Sequence, residues 1–243
     1  MKILVTAALC AAGCLLAQPA RAQIYVGRAV PHKGSVEVSG GVLWTMGFDL
    51  GTSSAELTRN PGTGTGPYDL FTAATRVGSV AGVQGHVGVY LSRSLMVEGG
   101  VQYSRPVFST NLANDAEQAS DTVATETLAR YVFDGSVVYH LGGKRGGKAV
   151  PFVAAGGGYI RELHDGYGVV ETGNEIHGAA GIKYWFTSGK QRLGLRADLG
   201  LISRSGGVDF DAALHTLPTT DSAGIDAGRR TLATASVGFA YLF

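Results

Sequence analysis

Between residues 36 and 50 every even position is apolar or glycine: Val36, Val38, Gly40, Val42, Trp44, Met46, Phe48 and Leu50. Glu37, Ser39, Thr45 and Asp49 stand among the odd positions. A strand puts successive side chains on opposite faces, so this alternation predicts a strand with one apolar and one polar face. Soluble domains favour strands of about 5 or 6 residues. A run this long suits a tilted membrane crossing.

The pattern recurs along the chain. Val77, Ala81, Val83, Val87, Val89 and Leu91 alternate with Gln84, His86 and Tyr90, and after Ser92-Arg93-Ser94 the chain resumes as Leu95, Val97, Val101 and Tyr103 against Glu98, Gln102 and Ser104. That is a hairpin. A fourth segment sets Ala129, Tyr131, Phe133, Val137, Tyr139 and Leu141 against Arg130, Asp134, Ser136 and His140. A fifth, 152–161, is too glycine-rich for its faces to be assigned. The sixth opposes Ile176, Ala180, Ile182, Tyr184 and Phe186 to His177, Lys183 and Trp185. The seventh opposes Leu193, Leu195, Ala197, Leu199 and Leu201 to Arg192, Arg196 and Asp198, and the last carries Ala233, Ala235, Val237, Phe239, Tyr241 and Phe243. Short connections (92–94, 142–149, 187–191) alternate with long polar ones (52–67, 105–126, 162–174, 203–228). An even strand count with short turns at one end and long loops at the other is the arrangement of an outer-membrane barrel. The expectation is an all-β, eight-stranded antiparallel up-and-down transmembrane β-barrel over residues 35–243.

A soluble barrel has the same strand count with its apolar faces turned inward. Composition separates the two. Only 16% of residues are charged, too few on strands to coat a soluble exterior. Phe48, Tyr103, Tyr131, Tyr139, Tyr184, Phe186 and Tyr241 lie near strand ends on the apolar face, as interfacial girdles require. The 37 glycines sit inside alternating segments, which points to strand packing rather than a linker. A formal net charge of +1 gives no reason to expect a nucleic-acid partner.

The N-terminus has Lys2, an apolar run over 3–17 and a small-x-small end at Ala20-Arg21-Ala22. This is the layout of a secretory signal peptide over 1–22, cleaved before Gln23, with 23–34 as a periplasmic lead-in. The run is shorter than the roughly 20 residues of a spanning helix. Lipoprotein processing at Cys14 is the weaker alternative. Cys10 and Cys14 both fall in the signal, so the mature chain is expected to hold no disulfide and no thiolate metal site.

Phe239, Tyr241 and Phe243 place aromatics at alternate positions with an aromatic as the final residue. The tail resembles the C-terminal signature of bacterial outer-membrane barrels, and the resemblance implies recognition by the barrel-assembly machinery. Residues 36–243 as a whole resemble the small OmpA, OmpX and OmpW-like barrel superfamily. This implies a monomer among outer-membrane lipid and lipopolysaccharide, with long loops free to meet an unknown extracellular ligand. It is a likeness of architecture and says little about activity.

The polar faces would gather Glu37, Asp49, Glu98, Arg130, Asp134, Lys183, Arg196 and Asp198 in the lumen, with His86, His140 and His177. Eight strands leave an interior just wide enough for side chains, so such charges must pair. Glu98 is expected opposite Arg130 and Asp134 across one hairpin. A structural plug and a narrow pore lined by movable ion pairs both remain open. Gly142 to Lys148 has phosphate-loop spacing but is followed by Ala149 and a strand, so it reads as a basic turn. His164-Asp165, and Asp211 with His215, are ordinary loop residues more often than a hydrolytic or metal pair. Outer-membrane lipid A deacylases carry a His-x-Ser pair, and none of His86, His140, His164, His177 or His215 has Ser two positions on. The expectation is a non-enzymatic barrel without catalytic residue, cofactor or metal, acting in envelope structure or surface interaction through four loops. A narrow channel for ions or small apolar solutes is the alternative, and an envelope lipid-modifying enzyme the third reading.

Overall fold

The computed structural model describes residues 31–57, 68–114, 121–141, 148–164, 170–186, 193–206 and 229–243. They form β1 (Val36–Thr45), β2 (Phe48–Leu57), β3 (Tyr68–Val77), β4 (Val80–Tyr90), β5 (Leu95–Ser104), β6 (Val107–Ala113), β7 (Thr122–His140), β8 (Ala149–His164), β9 (Val170–Trp185), β10 (Leu193–Gly206) and β11 (Arg230–Leu242). Eight of these, β1, β4, β5, β7, β8, β9, β10 and β11, pair antiparallel in that order around a ring. The last closes on the first, with Val42 opposite Val237. Among the described residues no helix is long and apolar enough to cross a membrane.

The faces are inverted relative to a soluble protein. Val83, Leu199 and Phe239 are 56%, 69% and 58% exposed on the outer wall. Glu37, Glu98, Lys183 and Arg196 are buried inside. Apolar outside and charged inside is stable where the outer wall meets lipid.

Two expected loops contain strands. β2, β3 and β6 continue β1, β4 and β5 past short breaks at 46–47, 78–79 and 105–106, and with the first part of β7 they make a sheet in the order β2-β3-β6-β7. This extension lies beyond the ring at the long-loop end. The breaks at 46–47 and 78–79 shift the inward phase, from odd positions in β1 to Leu50 and from Val77 to even positions in β4, while β5 and β6 both face inward at even positions. Gly47 has the carbonyl oxygen of Val77 within 2.5 Å of where a Cβ would stand, so only glycine lets the two kinks pack together. Past the breaks, Leu50, Val77, Phe108 and Leu128 turn inward as a small apolar cluster with Phe48 against it.

The fifth segment, β8, has clear faces in the structure. Even positions point inward, and its inward glycines are in register with large polar groups on both sides. Gly156 lies between Ser136 and His177, and Gly158 between Asp134 and Glu175. Gly100 likewise lies between His86 and Asp134. A Cβ on Gly156 would stand 2.8 Å from His177 Nε2 and 2.6 Å from Ser136 Oγ. Each missing side chain is the space its neighbours' polar ends occupy.

Candidate functional site

The lumen is filled in layers. At the short-turn end Tyr90, Met96, Val138, Phe152, Trp185, Ala240 and Leu242 form a packed apolar cluster. A buried ion pair is set into it, with Lys183 Nζ donating to Glu37 Oε1 at 2.6 Å. The Tyr90 hydroxyl donates to the other Glu37 oxygen at 2.7 Å and lies 3.3 Å from His140 Nε2. The Lys183 ammonium is 5.3 Å from the Phe152 ring centre and the Arg196 guanidinium carbon 4.9 Å, so that ring is covered by two cations.

Above this layer Arg196 grips Glu98 with both terminal nitrogens, at 2.8 and 2.9 Å, and its Nε reaches Asp198 Oδ2 at 3.2 Å. The pair spans the lumen between β10 and β5. Beside it Gln102 Nε2 donates to Asp134 at 3.0 Å, and Ser136 Oγ is 2.7 Å from His177 Nε2. These groups and His86 border a cavity of about 60 Å³, room for a few water molecules.

A third layer closes the long-loop end. Glu162, fully buried, accepts from Arg130 Nε at 2.5 Å and from Arg204 at 2.9 Å. The apolar cluster around Leu50 and Leu128 sits over it, with the Arg204 guanidinium 5.2 Å from the Phe48 ring centre. At the rim His164 places Nδ1 3.1 Å from Glu126 on β7 and Nε2 3.5 Å from Glu171 on β9.

No family model matches the chain, and no curated protein matches it. Among solved structures it is similar to the outer membrane protein OprG from Pseudomonas aeruginosa, with a TM-score of 0.51 and 11% identity over 88% of this chain and 98% of that one. The fold is that of a small outer-membrane β-barrel. Weaker likenesses are to Ail, the attachment invasion locus protein of Yersinia pestis (TM-score 0.38, 11% identity, 87% of this chain and 99% of that one), and to the outer membrane protease OmpT from Escherichia coli (0.32, 9%, 90% and 99%).

In an outer-membrane barrel the short turns face the periplasm and the long connections the exterior. The belt between them is rimmed by exposed aromatics: Tyr139, Tyr184, Tyr241 and Phe243 at the periplasmic side, Tyr131 and Tyr159 at the other. Tyr131 packs against Tyr103 with ring centres 5.0 Å apart and the rings tilted by 44°. Phe48 does not belong to either girdle: past the Gly47 kink it is half-buried against the inner cluster. The same kink removes Asp49 from the lumen. Its side chain is exposed, and its carbonyl accepts from Arg230.

The other expected lumen residues, Glu37, Glu98, Arg130, Asp134, Lys183, Arg196 and Asp198, are inside, but with different partners. Glu98 is opposite Ser136 on β7, six residues along the strand from Arg130. That is roughly 20 Å, too far for contact. Arg130 instead meets Glu162, and Glu98 meets Arg196 across the barrel. Glu162 and Arg204 were not anticipated, because 162–174 and 203–228 read as loop, and Glu175 stands just ahead of the sixth segment, which was read from Ile176. Extending the alternation of β10 by three residues would have found Arg204; for Glu162 the glycine-rich β8 offered no alternation to extend. The signal peptide, Asp165, Asp211, His215 and most of the basic turn at 142–148 lie outside the described residues.

Proposed function

We propose that this barrel is a non-conducting, non-enzymatic protein of the outer membrane that acts in envelope structure and surface interaction through its extracellular side. The observation that carries the reading is the lumen, crossed by a buried ion-pair layer at each end. Lys183 and Glu162 are each fully buried, so neither layer leaves a side chain in a water-filled path. The sheet β2-β3-β6-β7 extends the barrel at the long-loop end and offers a surface beyond the membrane for a ligand. The positions of four of the described histidines support a role without catalysis: His86, His140 and His177 face the lumen, and His164 is held between two carboxylates.

Single-channel recording on purified, refolded protein tests this. The expected trace is flat, and a steady open state would overturn the reading in favour of a narrow channel. The aromatic tail is part of the same proposal as an assembly signal. The Phe243 amide closes the β1–β11 seam on Val36 at 2.8 Å. Deleting Phe243 should lower the yield of heat-modifiable barrel more than deleting Thr63, and equal yields would remove the signal.

A further inference from the structure

The periplasmic end carries exposed charge of one sign. Lys33, Arg93 and Lys148 are exposed there, and no Asp or Glu side chain is exposed at that end among the described residues. The sequence of the remaining connections at that end, 142–147 and 187–192, adds Lys144, Arg145, Lys190 and Arg192 and no carboxylate. The long connections have the opposite composition: 207–228 holds Asp209, Asp211, Asp221 and Asp226 and neither Lys nor Arg. A net charge of +1 therefore conceals a chain whose two ends differ in sign.

Geometry fixes how far these cations stand from the bilayer. Arg93 is at the tip of a three-residue turn closed by the Leu91 amide on Leu95 at 2.8 Å, and the Ser92 hydroxyl accepts from the Leu95 amide at 3.1 Å. Leu91, 48% exposed, belongs to the apolar belt, so Arg93 stands only two residues outside the hydrocarbon. Lys33 is in a turn pinned by Gly34 and Ser35. Gly34, at φ 88°, donates to the Tyr90 carbonyl, and Ser35 donates back to His32. That turn docks on the end of β4 at Tyr90, the strand end that leads into the Arg93 turn. Lys148 is held where its carbonyl accepts from the Trp185 amide at 2.8 Å, between the Tyr139 and Tyr184 strands. All three stand on backbone held by these bonds, a few residues from the exposed apolar belt.

We propose that this face binds the phosphate headgroups of anionic phospholipids in the periplasmic leaflet, using Lys33, Arg93 and Lys148. The inference rests on the bilayer placement given above. Each basic residue held at an anionic surface strengthens association by about five-fold. Mixed charge would cancel this, and the exposed residues at this end are not mixed.

The test is refolding of the full mature chain into phosphatidylcholine vesicles containing a minor share of phosphatidylglycerol, followed by native mass spectrometry of the lipids that stay bound. Insertion is scored independently by the mobility shift of unheated samples. The expected result is phosphatidylglycerol enriched at least about five-fold over its bulk share. The enrichment should be lost in the combined Lys33→Gln, Arg93→Gln, Lys148→Gln variant, which still inserts, and in molar salt, where the screening length falls to about 3 Å. No enrichment in wild type, or enrichment unchanged in the variant, overturns the proposal. Loss of enrichment on Arg76→Gln with Arg161→Gln instead would move the phosphate site to the opposite rim, and so to lipopolysaccharide. A chain that fails to shift on the gel has not inserted, which defeats the membrane placement itself.

Discussion

Replacing Lys183 by Met removes one charge from the periplasmic layer while keeping the volume of the side chain. Glu37 would then keep its carboxylate 2% exposed with the Tyr90 hydroxyl as its remaining hydrogen-bond donor. Breaking a buried pair from one side strands the other charge and costs about 3 to 5 kcal/mol. Converting both partners, Lys183→Met with Glu37→Gln, removes the stranded charge, and exchange of a buried pair for neutral groups of similar volume is often close to neutral. The double variant should therefore be more stable than Lys183→Met alone, with a coupling at least as large as that single loss, about 3 kcal/mol or more. Urea unfolding in lipid vesicles measures all four proteins, and Trp185, itself in this layer at 4% exposure, is a built-in fluorescence reporter. If the single variant loses less than about 1 kcal/mol, the pair behaves as a solvated one. Water would then reach Glu37 through the layer, and the closed-lumen argument would fail with it.

Arg130→Ala should cost less than Lys183→Met, near the lower end of about 2 to 5 kcal/mol, because Glu162 keeps Arg204; adding Arg204→Ala should more than double the loss in the same unfolding assay, and simple additivity would refute the sharing. Gly156→Ala should sharply reduce the heat-modifiable fraction, since its Cβ would collide with the Gly135 carbonyl, whereas Gly99→Ala, whose Cβ meets only Asp134 O at 3.7 Å, should not; equal yields would show that the lumen has slack. His164 stands above the Tyr131 and Tyr159 girdle, faced by Glu126 from β7, Glu171 from β9 and the Phe108 ring from β6. Burial pulls its pKa down, but the Glu126 hydrogen bond and the Glu171 charge outweigh this and hold it above the usual value. A raised folded-state pKa means that the stabilisation is complete below about pH 6.5 and is lost as pH rises through the raised value. Protease resistance of the β7–β9 rim should fall over that window in wild type and stay flat in His164→Gln; parallel curves would remove the latch.

Strand alternation was legible wherever one face meets lipid and the other the lumen, because that contrast is the strongest a strand can carry. It faded where the contrast ends. β2, β3 and β6 stand above the bilayer, where the outer face meets water and the inward face holds polar residues such as Thr75 beside Val77, so residue type no longer tells the faces apart and a strand reads as a loop. The phase reversal at Gly47 was harder still. Phe48 and Leu50 continue the apolar even positions of β1, and no break in that alternation marks the kink that turns Leu50 inward and leaves Asp49 outside. The signal lay in Gly47 itself, needed because the Val77 backbone comes within 2.5 Å of its missing Cβ.

Which charges face inward was readable; which charges meet was not. Hairpin neighbours look like natural partners, yet strand tilt and stagger put Arg130 far above Glu98, and the bidentate pair forms between residues 98 positions apart on strands that are not adjacent. Sequence alternation carries the direction of a side chain and none of its height in the barrel. The inward glycines supply part of what is missing. A small barrel can hold Glu98, Asp134, Glu175, Arg196, His86 and His177 at one level only if some inward positions are empty, and Gly100, Gly156 and Gly158 are empty where His86, His177 and Glu175 lie opposite. Pairing these three inward glycines with the large polar residues on the neighbouring strand sets the register of the β4–β5 and β8–β9 hairpins. Applied to 152–161, where hydrophobic alternation is silent, the rule would have assigned the faces: the even glycines need large inward partners, and His177 and Glu175 on the following strand are the ones that fit.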